Sequence, residues 1–149
     1  GKAHQKLEGI GLVGSRAPAL EVKEWIGDAP PADQIYKNKL TLLSFWAIWC
    51  PHCKRNIPKI EGFLDTYGAK GVSVLGVTRE KEGQGADKVR EYVAGHPMAF
   101  PTAVDDEGKT SLALAVKSIP CVVVVDAQGR IRWHGHPDHL SEKVIESLL

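Results

Sequence analysis

Cysteine is scarce in this chain. Three in 149 residues are too few for the disulfide-dense frameworks that hold small secreted domains together, and the odd number leaves one thiol without an obvious partner. Charge of one sign is also lacking. Nineteen Lys and Arg against 18 Asp and Glu leave a formal net charge of +1, so nothing argues for nucleic acid or an anionic membrane as the main partner. No apolar run approaches the roughly 20 residues that span a bilayer. The longest candidates, 41–49 and 121–125, are short enough to read as buried strands. Repeats and low-complexity tracts are missing, and no secretory leader is evident, which leaves the compartment open. What remains, 43% hydrophobic and 25% charged residues, is the balance of an ordinary globular domain large enough for a real core.

Strand-like and helix-like stretches alternate along the chain. Residues 1–13 are polar and glycine-punctuated and are expected to form a mobile segment, with a single domain over 14–149. A partly alternating run, 19–25, ends at Gly27-Asp28-Ala29-Pro30-Pro31. The spacing predicts a buried strand over 41–48 and then a helix carrying Ile57, Ile60, Leu64 and Tyr67, bent at Pro58 and stopped near Gly68. Further expectations are a strand over 72–78, a charged loop over 79–85 and a helix over 87–94. After these come a short extended piece and turn over 100–108, and a helix over 111–117 capped by Thr110. A hairpin joins 121–126 to 130–134, and a last amphipathic helix carries Leu140, Val144, Ile145 and Leu148. Such interleaving indicates an α/β layered fold.

Trp49-Cys50-Pro51-His52-Cys53 stands where the first buried strand gives way to a helix. Two cysteines at this spacing suit a metal site or a reversible disulfide, and the strand before them favours the disulfide. At the helix start the first sulfur meets unpaired backbone N–H groups and the positive end of the helix dipole. Both stabilise a thiolate, the species that attacks disulfides. A closed zinc site needs four ligands as a rule, and no second C-x-x-C exists here.

Several features combine into a resemblance. Trp-Cys-x-x-Cys after a buried strand, Pro58 within the following helix, and Ile119-Pro120 before a valine-rich strand together resemble thioredoxin. Gly14-Ser15-Arg16-Ala17-Pro18 and the insert through Phe100-Pro101 look like the TlpA/ResA-like branch. The resemblance covers roughly residues 14–149 and implies a thioredoxin-like α/β fold: a central mixed sheet flanked by helices, with an N-terminal extension and an insert. It implies a thiol–disulfide oxidoreductase of a periplasmic or otherwise extracytoplasmic bacterial compartment. Expected partners are cysteine-containing client proteins and a membrane or soluble dithiol that recycles the pair. The chain is expected to be a monomer needing no cofactor beyond the Cys50–Cys53 disulfide.

The resemblance also implies roles for single residues. Cys50 attacks, and Cys53 resolves the mixed disulfide. His52 favours the Cys50 thiolate and Pro51 fixes the backbone between the cysteines; Cys-Pro-His-Cys is shared with DsbA-type oxidases, so the direction of electron flow stays open. Ile119-Pro120 is expected to be cis, presenting the Ile119 backbone to an extended substrate strand beside Pro120. Trp49 offers apolar area to a client and Trp46 reads as core. Cys121 stands where threonine is common; it reads as a small buried hydrophobe, with a third redox thiol or soft-metal ligand as the alternative. Ser44 replaces the buried acid that manages protons at the resolving thiol, so Glu80 is the expected acid, with Glu82 second. His134, His136 and His139 with Asp138 read as a polar joint ahead of a metal site. The rival function is a copper metallochaperone holding Cu(I) on Cys50, Cys53 and Cys121. A peroxidatic enzyme is disfavoured, because the cysteine lies in C-x-x-C and not in the threonine-bearing loop of peroxiredoxins.

Overall fold

A computed structural model describes residues 11–81 and 83–149. The expected segment 1–13 falls largely outside these residues, as does Glu82. Six strands form one mixed sheet in the order β1-β4-β3-β2-β5-β6. They are β1 (Val22–Ile26), β2 (Leu40–Phe45), β3 (Val72–Arg79), β4 (Thr102–Asp105), β5 (Cys121–Val125) and β6 (Ile131–Gly135). The three central strands β2, β3 and β4 run parallel, whereas β1, β5 and β6 pair antiparallel with their neighbours. Among the described residues, the α-helices α1 (Pro51–Tyr67), α2 (Ala86–Gly95), α3 (Lys109–Ala113) and α4 (Glu142–Leu148) accompany them.

Every residue of β2 is buried. Cover on both faces is what a central strand with a parallel neighbour requires, and it explains why Leu40-Thr41-Leu42-Leu43-Ser44-Phe45 does not alternate apolar with polar. Leu40, Leu42, Val74, Val122 and Val124 face one side, where Ile60, Phe63 and Tyr67 of α1 and Ile145 of α4 pack on them. Leu43, Phe45, Leu75, Val77, Val123 and Val125 face the other, against Leu114 and Val116. A third cluster gathers Trp46, Ala47, Cys50, Cys53 and Val89 beyond the end of β2.

Expected and observed boundaries differ where tertiary contacts overrule local pattern. The first buried strand stops at Phe45, not residue 48, because Trp46 turns out of the sheet to seat its indole beside β3 and β4. Its Nε1 donates to Thr102 Oγ1 at 3.3 Å. Gly76 makes room: a Cβ there would lie 2.5 Å from Thr102 Oγ1 and 3.0 Å from Trp46 Nε1. The helix expected over 111–117 occupies 109–113, and Thr110 lies inside it. Asp105 does the capping, accepting the N–H groups of Thr110 (2.8 Å) and Ser111 (2.9 Å), while Thr110 bonds Glu21 of the segment before β1. Leu140 precedes the last helix, which Ser141 caps through Val144 N–H. The chain at 14–17 is tied to the β5–β6 hairpin: Gly14 N–H donates to Ile131 and Ala17 N–H to Gly129.

Candidate active site

Cys50 and Cys53 form a disulfide at the start of α1. Cys50 is the N-cap in extended conformation, and its Sγ accepts the N–H of Cys53 at 3.2 Å. Pro51 follows at the first helical position, where its missing N–H costs nothing and its fixed φ suits the helix. Cys50 Sγ is therefore hydrogen-bonded at the positive end of a 17-residue helix, a setting that favours a thiolate. Cys50 is 7% exposed and Cys53 2%, so the N-terminal sulfur is the more accessible of two buried ones.

His52 is exposed and its ring meets Arg55, one turn along: Arg55 Nη2 lies 2.5 Å from Nδ1. A guanidinium has no lone pair to offer, so the imidazole is the acceptor. The motif thus carries a permanent cation on its first helical turn through a residue the sequence reading passed over, although a basic side chain at i+3 from the histidine was visible.

The Ile119–Pro120 bond is cis. Pro120 is buried and Ile119 half-buried, and Ile119 packs against the cluster containing both cysteines. Between the 116–119 segment and the Trp46–Trp49 loop lies a cleft of about 500 Å³, floored by Phe45, Val77 and Val116. Trp49 is 50% exposed on one wall, with Lys81 Nζ 4.3 Å from its ring centroid. Trp46, 2% exposed, is core.

Glu80 also lines this cleft, but its carboxylate is engaged. It pairs with Lys23 Nζ at 2.6 Å and accepts the N–H of Ala86, at the start of α2, at 3.0 Å. The Lys23 hydrogen bond, and then the Ala86 N–H, hold its carboxyl below the usual range. The two buried carboxylates among the described residues serve elsewhere, Asp105 capping α3 and Asp126 holding the β5–β6 turn. Ser44 is buried on β2 between Gly76 and Val122.

Gln84 was missed because it sits in a stretch that reads as solvent-facing loop. Only 2% exposed, it accepts the N–H of Ile48 on Oε1 at 3.1 Å and donates from Nε2 to the Arg79 carbonyl at 2.8 Å. Its backbone pairs both ways with Lys81. One buried amide therefore latches the turn after β3 to the loop that delivers Cys50, a contact 36 residues apart that no local pattern announces.

Cys121 is buried among Phe45, Val123 and Val125 at the start of β5. Burial pushes its thiol up to about 12, against a smaller opposing pull from the Gly135 backbone. The three sulfurs are not gathered: among the described residues no group of three or more His, Cys, Asp or Glu could hold a metal ion. The histidine joint is likewise dispersed, with His134 Nε2 at 2.8 Å from the Leu114 carbonyl and His136 Nδ1 accepting the Asp138 N–H. No described helix is long and apolar enough to cross a membrane.

A mixed sheet with three parallel central strands, a cysteine pair capping the helix after β2 and a cis-proline segment beside it define a thioredoxin-like fold with a dithiol–disulfide centre. The chain belongs to the AhpC/TSA family, whose pattern matches residues 13–134. It is 26% identical over 95 residues to the sporulation thiol-disulfide oxidoreductase A of Bacillus subtilis, a match covering 64% of this chain and 58% of that protein. It is 24% identical over 136 residues to the thiol-disulfide oxidoreductase ResA of Bacillus thuringiensis, covering 91% of this chain and 76% of that one. Among solved structures, a putative thiol:disulfide interchange protein DsbE from Chlorobium tepidum superposes with a TM-score of 0.73 at 26% identity, covering 92% of this chain and 98% of that one. The ResA-like resemblance read from the sequence agrees with these relatives.

Proposed function

We propose that this chain is a thiol–disulfide oxidoreductase whose Cys50–Cys53 pair exchanges disulfides with cysteines of other proteins. The observation that carries the reading is the disulfide itself, placed so that Cys50 caps α1 and accepts the Cys53 N–H. In the reducing direction the Cys50 thiolate attacks a client disulfide, forming a mixed disulfide and releasing one client thiolate. Cys53, as thiolate, then attacks Cys50 Sγ, which re-forms the internal disulfide and releases the second client thiolate. Two electrons pass to the client, whose thiolates take up the two protons lost by the pair. In the oxidising direction every step reverses, beginning with a client thiolate on the more exposed sulfur.

The surrounding residues take assisting roles. Helix-start N–H groups, together with the His52–Arg55 pair, favour the Cys50 thiolate, and Pro51 holds the turn between the cysteines. Trp49, Ile119 and Pro120 border the client, whose extended backbone pairs with Ile119. Cys121 underlies that groove as a small apolar side chain. Glu80 contributes as a fixed carboxylate at the cleft edge; its tie to Lys23 argues against a large swing in protonation near neutral pH. Clients in an extracytoplasmic compartment, and a dithiol partner that resets the pair, follow from the resemblance to the TlpA/ResA-like branch.

Trapping tests the assignment. Reduced Cys53→Ser protein, offered a protein disulfide, should accumulate a mixed disulfide through Cys50 that dithiothreitol releases, while Cys50→Ser should form none. Equal trapping by both variants, or by neither with folding intact, contradicts the roles assigned to the pair.

A further inference from the structure

Trp49, 50% exposed, borders two hollows. One is the cleft beside the disulfide, of about 500 Å³. The other, of about 270 Å³, is lined among the described residues by Ile48, Trp49, Lys81, Gly83 and Gln84. Trp49 and Lys81 are the two residues common to both described linings. An indole with room to turn needs a hold if it is to serve as a wall. Gln84 Oε1 fixes the backbone before it, accepting the Ile48 N–H at 3.1 Å, but that bond leaves the Trp49 side-chain torsions free. The ring itself is met by Lys81 Nζ, 4.3 Å from its centroid and within cation–π reach. Lys81 extends from a fixed base. Its N–H donates to the Gln84 carbonyl at 2.9 Å and its carbonyl accepts the Gln84 N–H at 2.7 Å. Glu80 beside it is tied to Lys23 and to the Ala86 N–H.

We infer that Lys81 is a positioning residue for client docking: its ammonium holds the Trp49 indole as a wall of the cleft, against which an apolar client side chain packs. The inference rests on the exchange reading above and on Trp49 bordering the client. The occupant is apolar because Phe45, Val77 and Val116 floor the cleft. In an extended client, residues two positions from the target cysteine share its face, about 7 Å away, so these are the side chains that reach the wall. A cation–π contact at an exposed site biases a ring towards one orientation by about two- to fivefold. Docking weakens in proportion to the fraction of molecules whose ring is out of place. Loss of the ammonium should therefore cost about two- to fivefold in the response to an apolar client.

The test uses single-turnover kinetics with reduced protein and two peptides, one with Phe and one with Gly two positions to either side of the cysteine. Each peptide carries its cysteine as a mixed disulfide with a chromogenic aromatic thiol. Attack by Cys50 on the peptide sulfur expels the chromogenic thiolate, and Cys53 then attacks Cys50 Sγ and frees the peptide thiolate. Wild type should react faster with the Phe peptide, and Lys81→Gln should lower the Phe-to-Gly rate ratio by about two- to fivefold. Lys81→Arg, whose guanidinium also stacks on an indole, should restore the ratio. In a Trp49→Ala background Lys81→Gln should change the ratio no further. The ratio cancels any effect of the lost charge on Cys50, since both peptides meet the same thiolate. A ratio unmoved by Lys81→Gln, failure of Lys81→Arg to restore it, or a loss that persists in the Trp49→Ala background overturns the inference. Wild-type reaction with both peptides at equal rates removes only the positioning role, whereas no reaction with either removes the exchange function as well.

Discussion

Removing the Gln84 amide should loosen the loop that delivers Cys50 by a calculable amount. In Gln84→Ala the Ile48 N–H and the Arg79 carbonyl both lose their side-chain partner. Each lies in a partly buried bond, so water replaces some of what is lost and each contributes near the lower end of the range, about 1 kcal/mol. Together they predict destabilisation of about 2 kcal/mol, a substantial share of the ~5–15 kcal/mol typical of a domain. With a urea slope of about 1–3 kcal/mol/M, the midpoint should fall by roughly 1 M without a change in slope. Gln84→Glu sharpens the argument. It keeps an acceptor for Ile48 N–H but, as a carboxylate, faces the Arg79 carbonyl without a donor. Protonation restores the donor, so its deficit relative to wild type should shrink as pH falls through the carboxylate range. Opposition to a carbonyl raises the folded pKa, and that stability is present at low pH and lost as pH rises. Unfolding free energies for Gln84→Ala within 0.5 kcal/mol of wild type, a margin typical of surface changes, would refute the latch.

Four other outcomes follow from particular contacts. Gly76→Ala should cost about 1–3 kcal/mol in denaturant unfolding and alter tryptophan fluorescence, since its Cβ would displace Thr102 Oγ1 or the Trp46 indole. Thr78 Oγ1 is buried with no hydrogen-bond partner among the described residues, so Thr78→Val should raise the unfolding free energy by roughly 1 kcal/mol; a loss would show that the hydroxyl is satisfied. Burial would raise the Asp126 carboxyl, but Arg130 N–H, the Arg132 guanidinium and Gln128 N–H outweigh it and hold it low. Its contribution is therefore present above the unfolded carboxyl pKa and lost as pH falls through the lower folded value, and Asp126→Asn should flatten that acid limb of stability. Cys121, with its thiol pushed up to about 12 by burial, should resist alkylation in native oxidised protein at pH 8 and react once unfolded; a native thiol titre of one contradicts that burial.

Much of this architecture was legible because the periods are strong. The Val72–Arg79 run, the Val122–Val125 tetrad and the Ile57–Ile60–Leu64–Tyr67 stripe each resemble one element type only, and all three were placed within a residue or two. Cys50 and Cys53 were legible because their spacing and position at a strand end restrict the chemistry. The contacts that set the loop around them were not. Gln84 reaches Ile48, and Trp46 reaches Thr102, across 36 and 56 residues, distances at which sequence periodicity carries no information. The close approach of Trp46 and Thr102 to Gly76 accounts for a glycine within β3 only once β3 and β4 are side by side. Glu80 was read as an acid for proton transfer, and its pairing with Lys23 needed the placement of β1 to be seen.

The most direct test of the central claim is the equilibrium between the Cys50–Cys53 disulfide and its dithiol. Protein equilibrated in graded glutathione or dithiothreitol buffers should show one reversible transition in tryptophan fluorescence. It should fit a two-electron couple and release two alkylatable thiols per chain on reduction; in Cys50→Ser the transition should vanish, leaving the Cys53 thiol unchanged by the buffer. A potential near or above roughly −150 mV would mark a disulfide donor, and one near or below roughly −230 mV a reductase. A pair that shows no reversible transition, or that releases thiols only on unfolding, would contradict the account.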